Sequence, residues 1–463
     1  MKKTIALLLA LVMVFALAAC GSKTETPETT PETTAPATEP AAEPATEPAT
    51  EPAPAEEDKP ADGSITLSVM LPYGQWEGKF DTLIESYMAE HPEIKEINAT
   101  FPSSSDYFDL LAAARASGEL PNIIRSSYGI QDAEYQQYML DLSTDCYAYD
   151  ELTEEQIING TTDKGMVVMP IYVEGTGILY NMQLLAEAGW DTVPTTRDEL
   201  KQLCDDLIAA GITPFCMQWA ETNLNLNNWV GWTWLGDKEN GGLDFLHAMM
   251  DGEDMDLAND VEWNEFLDCY EQVLMPYAQE NAIATDKYTA REAFYLGNCA
   301  MLVGEGSWET PSLLEYNPDL VDDVCQSYLP YSNDASKNHL MTAYMTAGVI
   351  DSGDEATNKA AKDFLSYIVC SEDARVWHQE TMGNPTAITS LKASDNMPKL
   401  AKDVVSLMQS GNSRMAMYKF YPAAIQADIS DAWGRFVGKD IDRDEFTALY
   451  QQIFKDYADG MYD

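Results

Sequence analysis

The sequence predicts an α/β fold of two lobes joined by a hinge, with a cleft between them. Three observations carry this expectation. The chain has 463 residues, and the roughly 400 that remain after a leader and a tail exceed what one hydrophobic core usually serves. Its folded part opens as a strand, a polar-aromatic loop and a helix, the start of an α/β unit. Between Lys164 and Trp190, KGMVVMPIYVEGTGILYNMQLLAEAGW, two apolar strands flank a short polar bridge, the form expected of a crossing between lobes.

Residues 1–20, MKKTIALLLALVMVFALAAC, carry two lysines, an apolar run from Ile5 to Leu17 and a small-residue exit. The run is short for a membrane span and has an export flank, so it reads as a signal peptide. Leu17-Ala18-Ala19-Cys20 before Gly21-Ser22 looks like a bacterial lipobox, in which Cys20 becomes the acylated N-terminus. Two or more acyl chains hold a protein firmly where one does not. The other reading is free secretion with Cys20 incidental. Residues 21–62 are Thr, Pro, Glu and Ala in near-repeats, unable to bury surface and kept extended by proline and like charge. At about 3.1 Å per residue such a tether reaches on the order of 100 Å.

Ser64 to Met70 reads as a strand, followed by Tyr73, Gly74, Gln75 and Trp76, then by a helix with Phe80, Leu83, Ile84, Tyr87 and Met88 on one face. Ligands of open α/β sheets sit outside the carboxyl ends of strands, which makes Tyr73 and Gln75 candidates; an ordinary solvated loop is the alternative. A helix from Asp106 to Ser117 ends at Gly118, and a strand through Ile123-Ile124 leads to the candidates Tyr128 and Asp132. In the central stretch a buried strand, Met166 to Met169, is expected to break at Pro170. Glu174 stands on the bridge, and Gly177 to Tyr180 forms the second strand before a helix that Gly189 stops. Apolar runs without alternation suit strands covered on both faces, as in parallel sheets.

Thr196-x-x-Glu199 is a capping box opening a helix that Gly211 closes. A strand from Thr213 to Met217 runs into Gln218 and Trp219, with Trp229, Trp232 and Trp234 beyond. Tryptophan clusters more often pack than bind; Trp219, at a strand end, ranks first as a contact and Trp229 second. Residues 240–296 are helical. FYLGNCAMLVGEGSWE then reads as a helix end, a Gly297 turn, a buried strand from Ala300 to Val303 and a polar end with Glu305 and Trp308. Tyr328-Leu329-Pro330 is expected to be a second crossing, and Ala347 to Ile350 with the helix from Lys359 to Ile368 returns to the first lobe. Asn384 in MGNPTAI and Tyr421 in YKFYP are the last candidates. The final helix places Phe446, Tyr450, Ile453 and Phe454 at core spacing.

MP-x-x-x-E-x-x-x-x-x-YN from Met169, AGW at 188–190, VPTT-x-DEL from Val193 and F-x-x-G-x-x-AM with G-S-W from Phe294 to Trp308 resemble the family 1 extracellular solute-binding proteins. These are the substrate-capturing lipoproteins of ATP-driven sugar importers, the maltose-binding type among them. SGELPN departs from that family's pattern by placing Asn122 where Asp is usual. The resemblance implies a periplasmic-binding-protein-like fold of type II. Residues 63–173 plus 331–375 would form the N-terminal lobe and 174–330 plus 376–463 the C-terminal one. Glu174 would touch the ligand from the hinge and Trp308 would stack on a sugar, or else plug the lobe interface. The full expected ligand set is Tyr73, Gln75, Tyr128, Asp132, Glu174, Trp219, Trp229, Glu305, Trp308, Asn384 and Tyr421. The implied partners are a carbohydrate and the permease subunits of an ABC importer, with Cys20 anchoring a monomer to the outer face of the cytoplasmic membrane.

The formal charge of −50 argues against nucleic acid and against a basic membrane-binding face. None of the eight cysteines forms C-x-x-C. With Cys20 lipidated the remainder is odd; Cys204, Cys269 and Cys299 read as free, small core residues. No two of His91, His247, His339 and His378 stand at i, i+4, and no phosphate loop or G-x-S-x-G occurs. Asp440-x-Asp442-x-Asp444 lacks the Gly and Glu of a calcium loop, so Asp442 with Glu445 reads as a helix start. The sequence therefore calls for no metal, no cofactor and no enzyme. The rival readings are a glycoside hydrolase using Glu174 and Glu305, an adhesion module, and a same-fold binder of a non-sugar such as a polyamine.

Overall fold

The computed structural model describes residues 63–128, 133–220, 231–388, 390–417 and 420–462. The leader with Cys20, the tether, Asp132 and Trp229 lie outside the described residues. The strands are β1 (Ile65–Met70), β2 (Ile94–Thr100), β3 (Ile123–Ile124), β4 (Thr161–Thr162), β5 (Gly165–Met166), β6 (Met169–Asn181), β7 (Phe215–Cys216), β8 (Met301–Gly306), β9 (Val324–Ser327), β10 (Leu340–Val349) and β11 (Ser413–Met415). β4 and β5 make a small hairpin; the main sheet runs β2-β1-β3-β10-β6-β8-β7, with β11 on β10 and β9 on β6.

β6 organises the sheet. Two strands broken at Pro170 were expected, but Met169–Asn181 is one strand of 13 residues. Pro170 is tolerated because the register with β10 shifts between Met345 and Thr346 at that point, where the missing N–H forfeits no regular ladder bond. Glu174 accordingly sits within the strand, opposite Ala343. The neighbours β10, β8 and β9 are all antiparallel to it, so the unalternating apolar run reflects burial on both faces rather than a parallel sheet.

Both edges of β6 change partner in the middle. One edge pairs with β10 from Met169 to Thr176 and with β9 from Ile178 to Asn181. On the other, Val173 N donates to Pro385 O at 2.9 Å and Ala387 N to Ile171 O at 3.3 Å, before β8 takes over at Thr176. The change of partners leaves little room around the backbone. A Cβ on Gly175 would come within 2.7 Å of Leu340, and one on Gly177 would overlap the Ser327 carbonyl. Beyond Tyr328-Leu329-Pro330, the stretch expected to cross, β10 starts at Leu340 and runs antiparallel along the first half of β6. Ser327 is still paired with the second half of β6, and Leu329 still packs with the core around Trp232.

The apolar interior falls into two large clusters. The first gathers Leu67 and Val69 of β1, Trp76, Phe80, the helix α1 (Glu355–Cys370) through Phe364, Leu365 and Ile368, and Trp377. Trp76 stacks on Phe80 at 5.3 Å and meets Trp377 edge-on at 4.9 Å. The second holds Trp232, Trp234, Trp263, Phe266 and Tyr270 with Trp433 and the helix α2 (Arg443–Ala458), whose Phe446, Tyr450, Ile453 and Phe454 are buried as the spacing predicts. Each such side chain contributes about 1.5–3 kcal/mol by leaving water. β6 passes from one cluster to the other, with Met169, Ile171 and Tyr172 in the first and Ile178 and Tyr180 in the second. Burial runs across the expected boundaries: Trp377, Met382 and Ile388 pack in the first cluster and Tyr331 in the second.

Two local expectations change. Thr196 Oγ1 accepts from Glu199 N at 3.3 Å, but the Glu199 carboxylate turns to Thr195 N and Oγ1 at 2.8 and 2.9 Å, so that box is half-built. The reciprocal box forms instead at Asp442 and Glu445. Cys299 is not free: it is bonded to Cys216, with Cα atoms 6.0 Å apart. Parallel pairing of Phe215 with Met301 brings the two cysteines alongside each other. Cys204 and Cys269 are free and buried as expected.

Candidate functional site

The sharpest polar cluster lies where β8 leaves β6. Thr176 pairs with Gly306 and Gly177 with Glu305, but Ile178 pairs with Val303, so Gly304 is an extra residue. Its φ of 81° suits a bulge that only glycine enters without strain. Just beyond it Glu305 is fully buried. Its Oε1 accepts from Arg291 Nε and from Gln218 Nε2, both at 2.8 Å. Its Oε2 accepts from Arg291 Nη2 at 2.8 Å and from the Trp308 indole Nε1 at 2.9 Å.

Arg291 comes from the helix α3 (Lys287–Tyr295), which Asp286 caps by accepting from Thr289 N at 2.8 Å. Its Nε also lies 3.2 Å from Glu309, whose carboxylate takes the Tyr295 hydroxyl. Burial pushes the Glu309 carboxyl above its usual range, and Arg291 offsets only part of that. Burial works against the charge of Arg291, but Glu305 and Glu309 outweigh it and hold the guanidinium protonated. A bidentate pair with every oxygen satisfied is the arrangement in which buried charge is tolerated.

Trp308 is partly exposed. A Cβ on Gly306 would lie 2.5 Å from its ring and would overlap the Gly175 carbonyl. The indole therefore lies over the β8–β6 crossing, beside the residue that follows Glu174. Ser307 Oγ donates to Asn384 Oδ1 at 3.1 Å. Asn384 is fully buried, and its Nδ2 has no hydrogen-bond partner among the described residues.

A second group surrounds Glu174, which is half-buried and accepts from Tyr172 OH at 2.9 Å. The Tyr172 ring stacks on His378 at 5.4 Å and meets Tyr73 edge-on at 5.8 Å. Tyr73 OH donates to Thr346 O at 3.2 Å. Burial drives that hydroxyl far above its usual range, with Arg125 and Glu174 both acting on it electrostatically. Arg125, whose guanidinium lies 4.8 Å over Phe108, was missed in the sequence. Its signal was its place one residue past β3, at a strand's carboxyl end.

The remaining candidates stand on other segments, Trp219 next to the Gln218 that bonds Glu305. Gln75 is half-exposed in the turn Gly74–Trp76. Tyr128 is buried against Tyr344 and Phe420, 6.1 and 6.4 Å away. Trp219 is buried, its N donating to Ala282 O at 3.1 Å. Tyr421 is a buried core residue packed on Trp232 at 5.0 Å. Two surface recesses, one of about 350 Å³ at Asp145, Cys146 and Asp363 and one of about 480 Å³ at Glu372, Ser390 and Asn396, contain none of the candidates. Among the described residues no group of three or more His, Cys, Asp or Glu side chains could hold a metal ion.

Residues 73–374, a span that begins at Tyr73 and takes in Glu174 and Trp308, match the family model for bacterial extracellular solute-binding proteins. The chain is a bacterial extracellular solute-binding protein. No curated protein matches it by sequence. Among solved structures this solute-binding protein is similar to a chitin oligosaccharide binding protein, with a TM-score of 0.71 at 17% identity over 86% of this chain and 100% of that one. It is similar also to the solute-binding protein RafE in complex with raffinose, with a TM-score of 0.69 at 18% identity over 85% and 100% of the two chains. A sugar transporter from Bacillus licheniformis in complex with stachyose gives a TM-score of 0.65 at 15% identity over 85% and 100%. At these identities the likeness establishes the fold, a periplasmic-binding-protein-like α/β architecture. No helix among the described residues is long and apolar enough to cross a membrane.

Proposed function

We propose that this solute-binding protein captures a sugar or short oligosaccharide outside the cell and passes it, unaltered, to the permease of an ATP-driven importer. The observation that carries the reading is the partly exposed Trp308 indole, held by its N–H where β8 pairs with β6, beside Gly175, the residue that follows Glu174. An indole fixed by its edge offers its face, and that face suits the apolar C–H surface of a pyranose. Glu174, Gln75 and Asn384 supply acceptors and donors for hydroxyls. Similar folds are those of a chitin oligosaccharide binder and of proteins holding raffinose and stachyose.

In this reading the two apolar clusters are two lobes, β6 and β10 the hinge, and ligand shifts the population toward the closed form that the permease recognises. Cys20 carries the lipid and residues 21–62 lift the lobes from the membrane. The protein works as a monomer. The hydrolase reading is disfavoured because the two carboxylates it needs are unlike: Glu305 is saturated by Arg291, Gln218 and Trp308 and has no oxygen left for proton transfer.

A thermal-shift screen of mono- and oligosaccharides tests the reading, since a ligand bound only by the native state raises Tm by mass action. A rise with one sugar class and no released reducing ends is expected. A rise with polyamines alone, or sugar cleavage by the purified protein, overturns it.

A further inference from the structure

We infer that Glu305 is a positioning residue for the Trp308 platform and not a ligand contact; the inference rests on the sugar-binding reading above. A carboxylate offers about four lone-pair sites. Those of Glu305 are occupied by two Arg291 donors, Gln218 Nε2 and the Trp308 indole N–H, at 2.8 to 2.9 Å. The side chain is fully buried. A sugar hydroxyl could bond Glu305 only by displacing one of these partners, and a displaced donor would be left unpaired in a buried site.

The same geometry explains why an acid stands here at all. Trp308 Nε1 is a donor with no acceptor function, so an acceptor three residues back, beyond the Gly306 turn, fixes the ring about its χ angles. Arg291 grips that acceptor through two donors, and Glu309 with Tyr295 holds Arg291 from its other side. The indole face then meets a ligand already oriented, and less ordering is left to oppose binding. A glutamine would not replace the acid, because in either orientation its amide nitrogen would face an Arg291 donor, and in one of them the indole N–H as well.

Two measurements test this. In ligand-free protein, hydrogen exchange at the Trp308 indole N–H, identified as the signal missing from Trp308→Phe, is expected to quicken at least tenfold in Glu305→Gln. Unchanged exchange overturns the inference, whatever the ligand. In a double-mutant cycle on the sugar found by thermal shift, Glu305→Gln is expected to weaken binding about tenfold alone and less than twofold on a Trp308→Ala background. A full, multiplicative tenfold on both backgrounds means that Glu305 touches the sugar, and overturns it too. If Trp308→Ala alone leaves affinity intact, the platform reading fails, and the exchange result still decides whether Glu305 orients the ring. Should Glu305→Gln not fold, Arg291→Lys, which keeps the charge but loses the fork, is expected to quicken the same exchange; no change there overturns the inference.

Discussion

Gly306 and Gly175 meet backbone to backbone: a methyl on Gly306 would overlap the Gly175 carbonyl and lie 2.5 Å from the Trp308 ring. Gly306 is required by this close approach, because its two neighbours are a strand backbone and an aromatic ring that Glu305 holds in place, whereas Gly175 is confined by the Leu340 and Val404 side chains. Gly306→Ala is therefore expected to cost about 1–3 kcal/mol, the usual penalty of overpacking. It should also loosen Trp308. Denaturant unfolding monitored by fluorescence and by circular dichroism measures the first effect, and indole exchange the second. A variant with wild-type midpoint and exchange would mean that the crossing has slack.

Trp308→Ala should weaken sugar binding by about 2 kcal/mol or more, as removal of a desolvated aromatic anchor does. Calorimetry on a variant of unchanged melting temperature separates lost contact from lost fold. Equal affinity would take Trp308 out of the site.

His378 predicts a pH dependence. It is fully buried, and burial pushes its pKa down from 6.5 to about 4, while its bond to the Ile368 carbonyl works weakly the other way. Below pH 6.5 the unfolded chain takes up a proton that the folded one refuses, so the stability this site leaves intact at neutral pH falls as pH drops. The loss reaches about 3 kcal/mol near pH 4 and grows no further. His378→Gln, which cannot titrate, is expected to flatten the wild-type-minus-variant difference in unfolding free energy above pH 6.5. Between pH 6.5 and 4 that difference should slope toward the variant. Parallel curves across the whole range would show that His378 titrates normally.

Cys20→Ser is expected to move the protein from the membrane fraction to the culture medium. Retention on the membrane would refute lipid anchoring.

Much of this was legible in the chain. The α/β order, the helix ends and the core faces of α2 follow from local spacing, and the motif around Trp308 was readable because it couples a strand end to a turn, while Glu174 stood out as the one charge in an apolar run. What misled was information that is not local. Pro170 looked like a strand break, since nothing in one strand announces a register shift against β10 that spares the lost N–H. Cys299 looked like a core thiol, because its partner stands 83 residues away and only the β7–β8 pairing brings it near. Glu305 read as an open acceptor because Arg291 and Gln218 reach it from other elements. Arg125 escaped notice beside the more suggestive Tyr128.

The Cys216–Cys299 bond ties the strand that leads to Gln218 and Trp219 to the one that leads to Glu305 and Trp308. Material produced in a reducing cytosol would lack that clasp. The wall around Trp308 is thus finished only after export, and recombinant preparations should be judged by their thiol count before their affinity is believed.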